Sequence, residues 1–219
     1  MSLTLYYHPL ASFCHKTLIA LYELALPFEK RLIDLGNAAD RAELEALWPF
    51  GTFPVIRDHA RKRTVAESTI INEYLDHHAG GGRLLPADWE DALRVREWER
   101  FCDNQLQLPM QAIVADRIHG ARADLSRERA KIRTAYTLFD AQLATTPWAA
   151  CATFSMADCA AAPALFYAST LEAFPREHEH LIAYFDRLVA RPCVERVLDE
   201  ARAYFHFYPF AEAIPQRFL

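Results

Sequence analysis

Ser12, Cys14 and His15 follow closely on the short run Leu3-Thr4-Leu5-Tyr6-Tyr7. A strand that hands over to a helix at this point aims the helix's free N–H groups and positive dipole end at the turn. That arrangement stabilises a thiolate, the protein's own or a ligand's. Two chemistries fit. Ser12 donates its hydroxyl to a bound sulfur, or Cys14 is a low-pKa nucleophile with His15 as a nearby cation. Plain packing is the structural alternative for Cys14. Tyr7 and His8 are secondary candidates beside them.

Pro54 opens the strand-like run Phe53-Pro54-Val55-Ile56, where a residue that cannot donate to a ladder marks an edge or a cis bond. With a cis bond, the Phe53 N–H and C=O turn outward and can pair with a peptide-like ligand by strand addition. Glu67-Ser68 precedes a helical pattern of Ile70, Ile71, Tyr74 and Leu75. Ser68 is a good cap, a helix start is an anion site for a carboxylate, and Glu67 suits an ammonium. The pair can therefore hold the amino-acid end of a ligand. Trp48-Pro49-Phe50-Gly51-Thr52, just ahead of Phe53, reads as a loop.

The elements that must position these residues fall into two patterns. The first alternates strand and helix: strands at 3–7, 28–32, 53–56 and 63–65, with helices over about 12–24, 38–47 and 68–77. Gly80-Gly81-Gly82 and Pro86 then break the chain. Beyond them the periodicity predicts only helices, over 89–119 with a kink at Pro109, 126–144, about 155–170, 177–190 and 193–204. Ser155 and Asp158 form a capping box at the start of the third of these, with Phe154 stapled onto Cys159. We expect an α/β thioredoxin-like domain over 1–79, a linker over 80–88 and an all-α helical bundle over 89–219. In a thioredoxin-like fold the Ser12–Cys14 turn, the loop, Pro54 and Glu67-Ser68 meet at one end of the sheet.

Composition narrows the function classes. A 52% hydrophobic chain of 219 residues with a net charge of −5 is an ordinary globular protein. The longest basic run, Arg61-Lys62-Arg63, reads as a solvated turn and not a nucleic-acid face. No apolar stretch is long enough to span a membrane, and the start lacks the pattern of a secretory signal. Five scattered cysteines fit neither a disulfide framework nor a zinc site, so the expected compartment is the reducing cytoplasm and no metal is expected.

Taken together, Leu5-Tyr6-Tyr7-His8-Pro9 through Ile19-Ala20-Leu21, Pro49-Phe50-Gly51-Thr52-Phe53-Pro54-Val55-Ile56, Glu67-Ser68-Thr69-Ile70-Ile71 and Phe154-Ser155-Met156-Ala157-Asp158 resemble the cytosolic glutathione transferase family, in order and at its spacing. The resemblance, to serine- or cysteine-type and bacterial-like members, covers nearly the whole chain. It implies a cytoplasmic homodimeric detoxification enzyme that adds glutathione, its co-substrate, to a small hydrophobic electrophile. It also implies that Phe53 bonds the cysteinyl backbone of glutathione, that Pro54 is cis, and that Glu67 and Ser68 take the γ-glutamyl end. At the catalytic position two alignments compete. One places the family's active serine at Ala11; the other puts Ser12 where bacterial beta-type members carry a cysteine. Ser12 is the first choice and Cys14 the second.

The electrophile is expected against Gln105, Pro109 and Ile113, with the aromatic tail Tyr204-Phe205-His206-Phe207-Tyr208-Pro209-Phe210 either folded over the pocket or packed on the bundle. Three alternatives differ in class: a glutathione-dependent reductase working through Cys14, an isomerase that uses glutathione catalytically, and a non-catalytic binding or regulatory protein that keeps the fold.

Overall fold

Leu3 and Leu5 are buried while Thr4 between them is partly exposed, the two-residue period of strand β1, Leu3–Tyr7. The computed structural model describes residues 2–219. β1 is followed by α1 (Ser12–Glu23), β2 (Glu29–Leu32), α2 (Ala38–Leu47), β3 (Val55–Asp58), β4 (Arg63–Ala66) and α3 (Ser68–His78). The strands form one sheet in the order β2-β1-β3-β4, with β2 parallel to β1 and the other pairings antiparallel. The register sets Leu5 opposite Ile56 and Ile56 opposite Val65, a buried row on the face that receives α1 and α3. Ile33 and Val55 pack with Leu44 of α2 in a separate small core. The Asn37 side chain caps α2 by accepting from the Ala39 and Asp40 N–H groups.

The rest is helical: α4 (Trp89–Phe101), a π-helical segment (Cys102–Gln107), α5 (Leu108–His119), α6 (Ser126–Leu143), α7 (Met156–Ser169), α8 (Glu179–Val189) and α9 (Pro192–Arg202), then short 3₁₀ turns to the C-terminus. α7 is the axis of this half, buried from Met156 through Ala168. The capping box at its start is formed. Ser155 Oγ accepts from the Ala157 N–H, and the Asp158 carboxylate accepts from the Ser155 N–H at 2.8 Å. Asp158 also accepts from the Ala149 N–H and the Tyr184 hydroxyl, so it ties α7 to α8. α1 packs against α7, and residues of both halves share one core.

The helix expected over 89–119 is present without a break, and its middle is π-helical. The Leu108 N–H donates to the Asp103 carbonyl five residues back, and Pro109, which has no N–H to give, follows directly where the α-helical pattern resumes. The π-helical segment carries Asp103 and Asn104 to the cleft between the two halves.

Candidate functional site

No side chain caps α1, and the Ala11 carbonyl accepts from Cys14 and His15, which leaves the Ser12 and Phe13 N–H groups free among the described residues. α1 begins directly after β1, so these donors and the positive end of the helix dipole face the end of the sheet. Strand pairing of β3 starts only at Val55, opposite Tyr6 and Ala66. The N–H and C=O of Phe53 therefore lie ahead of the ladder, next to a cis Phe53-Pro54 bond. At α3 the N-cap is Glu67 and not Ser68. Ser68 is the first helical residue, its hydroxyl caps nothing, and the opening N–H groups stay available. Glu67 adopts φ 68°, a left-handed value that glutamate rarely takes and that marks a constrained position.

These features surround a cavity of about 550 Å³, within the range of small-molecule sites. Phe13, Thr52, Phe53, Pro54, Glu67 and Ser68 line one wall. Arg100, Asp103, Asn104, Leu108 and Gln111 line the other. A second cavity of about 320 Å³ adjoins it, lined by His8, Leu10, Ala11, Ser12, Met110, Val114, Ile118, Tyr167 and the tail residues Phe207, Tyr208 and Pro209, with Gln111 common to both. The start of α1 thus divides the cavities, Phe13 on one side and Ser12 on the other. In the tail, Phe205 stacks on Phe166 with ring centroids 5.6 Å apart, while Phe207, largely exposed, lines the second cavity.

Beneath the larger cavity lies a buried charge cluster. Lys16 of α1, with no exposed surface, donates to Thr69 Oγ1 at 3.1 Å, to Asp103 Oδ2 at 2.8 Å and to Glu99. Arg100 donates to Glu99 Oε2 at 2.9 Å and to Asp103. Burial works against charge on both carboxylates, yet Lys16 and the hydrogen bonds hold the Glu99 pKa below its ordinary value. For Asp103, burial, with the Glu99 charge beside it, wins and raises the pKa. Asp103 lines the cavity, and its Oδ1 is buried without a partner among the described residues.

The remaining sequence candidates separate. Cys14 is fully buried, lines neither cavity, and burial pushes its thiol pKa up to about 12, so it is not an exposed low-pKa nucleophile. His15 is not a cation either. Burial lowers its pKa to about 4 while its Nε2 donates to the Pro9 carbonyl at 2.5 Å. Stability is therefore expected to fall as pH drops from 6.5 toward about 4, because the unfolded chain takes up a proton that folded His15 refuses. Thermal melts across that window check this; a flat profile, or one unchanged in His15→Gln, contradicts it.

Gln105, Pro109 and Ile113 are displaced from the cleft. Gln105 faces an outer groove beside α6, and Pro109 and Ile113 are buried in the helical core. The cleft-facing stripe is Arg100, Asn104, Leu108 and Gln111: Gln105 and Pro109 each stand one residue beyond a member of it, a rotation of about 100°, and Ile113 stands two beyond Gln111. Asp103 and Tyr167 had no distinguishing signal, since a mid-helix carboxylate and an apolar-helix tyrosine read as a surface charge and a core residue. Among the described residues no group of three or more His, Cys, Asp or Glu is placed to hold a metal, and no helix is long and apolar enough to cross a membrane.

Comparison with known proteins agrees with this arrangement. A glutathione S-transferase from Silene vulgaris is 26% identical over 214 residues, 90% of this chain and 97% of that one. Glutathione S-transferase GstB of Escherichia coli K12 is 26% identical over 192 residues, 84% of this chain and 91% of its own. The crystal structure of Gtt2 from Saccharomyces cerevisiae superposes with a TM-score of 0.79 at 24% identity, covering 90% of this chain and all of that one, a likeness of fold. The model of the glutathione S-transferase N-terminal domain matches residues 11–78, and that of the C-terminal domain matches residues 101–192. With both halves matched in order, the chain belongs to the glutathione S-transferase family.

Proposed function

We propose that the chain conjugates glutathione to a small hydrophobic electrophile, with glutathione in the larger cavity and the electrophile in the smaller. The observation that carries this reading is the start of α1, which presents Phe13 to one cavity and Ser12 to the other. A sulfur held there reaches both. Phe53, ahead of the β3 ladder, pairs with the cysteinyl backbone by strand addition, beside the cis Pro54. The free N–H groups and hydroxyl of Ser68 receive the γ-glutamyl carboxylate. Glu67, in the same wall, faces its ammonium.

Ionising the ligand thiol near neutral pH takes about two pKa units, roughly 2.7 kcal/mol. A charge-assisted hydrogen bond from Ser12 supplies about 1.5–3 kcal/mol, and the helix start adds to it. No general base of the protein is needed. We place the functional division at 1–79, 80–88 and 89–219, and assign the cytoplasm and a homodimer. Exposed Ile70 of α3 with Trp89 and Leu93 of α4 supplies apolar surface for a second copy.

Calorimetric titration with reduced glutathione tests the assignment. Wild type binds in the micromolar to low millimolar range, and Ser68→Ala weakens binding by about 10- to 100-fold, the worth of a hydrogen bond to a charged group. No binding by wild type at saturating ligand would sink the proposal.

A further inference from the structure

His8 stands where three parts of the site meet. Its ring stacks on that of Phe53, with centroids 6.1 Å apart and planes 16° off parallel, and meets the Tyr204 ring of the tail edge-on at 6.4 Å. Its backbone carbonyl accepts from the Ala11 N–H at 3.1 Å, which closes a turn with Pro9 at its second position. Inside that turn the Leu10 N–H donates to His8 Nδ1 at 3.2 Å. A backbone N–H can only donate, so Nδ1 is the unprotonated nitrogen and the ring is the neutral Nε2–H tautomer. An imidazolium carries a proton on both nitrogens. Charging His8 therefore sets two donors against each other and breaks the bond to Leu10. The turn leads straight into α1, with Ala11 as its N-cap and Ser12 as its first residue.

The groups that bear on the charge of His8 come from the elements around it. Asp34, after β2, favours the imidazolium, while His15 of α1 and Tyr204 of the tail are the other titratable groups close by. Burial outweighs Asp34 and holds the His8 pKa below its ordinary value, so the form that accepts from Leu10 is the one present at neutral pH. We propose that His8 is a positioning residue of the transferase reaction: neutral, it fixes the turn that presents Ser12 to the sulfur, and protonation releases that turn. This rests on the assignment of the thiolate site to the start of α1. The Ser12 hydroxyl acts on the sulfur, and His8 fixes where that hydroxyl stands. Activity at acid pH consequently depends on two protons, one that must leave the bound thiol and one that must stay off His8.

The test follows kcat for glutathione with benzyl chloride, an electrophile that does not titrate, across mildly acid to neutral pH in wild type, His8→Asn and His8→Phe. Asparagine sets its Oδ1 close to where Nδ1 stands and cannot be protonated there; phenylalanine keeps a ring against Phe53 and has no acceptor. In wild type the acid limb of log kcat should steepen from a slope of about one toward about two as pH falls, and in both variants it should keep a slope of about one. At neutral pH His8→Asn should retain about 3- to 10-fold more activity than His8→Phe, the worth of one hydrogen bond. A single-proton limb in wild type, a two-proton limb that survives in His8→Asn, or equal activity of the two variants would overturn the role of His8 and leave the transferase reading intact. Wild type inert toward benzyl chloride and toward a cyclic enone would overturn that reading, and the role of His8 with it.

Discussion

Replacing Lys16 with methionine is expected to destabilise the fold by about 3–5 kcal/mol, a large share of the 5–15 kcal/mol typical of a whole domain. The side chain fits in volume, but Glu99 and Asp103 then remain buried beside Arg100 alone, two carboxylates to one guanidinium. The loss should fall on the junction of the two halves, because Lys16 comes from α1, Thr69 from α3 and the acids from the end of α4 and the π-helical segment. Urea denaturation measures it. Adding Glu99→Gln to Lys16→Met should recover part of the stability, since it removes one of the stranded charges. A cost below about 1 kcal/mol for Lys16→Met would show the cluster to be solvated and unimportant.

Replacing Ser12 with alanine is expected to lower kcat/KM by about 10²-fold at neutral pH while leaving glutathione affinity within a few-fold of wild type, because the hydroxyl acts on the charged sulfur and the peptide is held elsewhere. The pH profile gives a second readout. Without the donor the neutral thiol is relatively favoured, so the bound thiol pKa rises and activity climbs at higher pH in the variant than in wild type. Cys14→Ala serves as the contrast: its thiol is buried and lines neither cavity, so transferase activity should persist. The opposite pattern, Cys14→Ala inactive and Ser12→Ala unaffected, would favour the reductase chemistry.

Local rules made much of this architecture readable. Asp158 three residues after Ser155 forms its capping box because both partners lie within one turn, and Pro54 announces the cis bond before β3 through the missing N–H of a single residue. Helix and strand types followed from the period of their apolar residues. Ser68 misled as a cap because Glu67, at a positive φ, takes the cap position one residue earlier. Cys14 misled for a related reason: its position in a helix start favours a thiolate, but the packing of α1 on α7 buries it, and burial outweighs the dipole. Gln105, Pro109 and Ile113 failed through phase, since a π-helical segment, which is not written in local propensity, holds Gln105 and shifts Pro109 and Ile113 beyond it around the axis. The Lys16 cluster depends on partners many tens of residues away, which no local pattern encodes.

The central claim is that the start of α1 turns a bound glutathione thiol into a thiolate. Titrating the ultraviolet thiolate absorbance of the binary complex against that of free glutathione tests it most directly. The account predicts an apparent pKa about two units below the ordinary thiol value of about 8.5, with most of that shift lost in Ser12→Ala. A bound thiol that titrates like free glutathione, in a complex that calorimetry shows to be saturated, would contradict it.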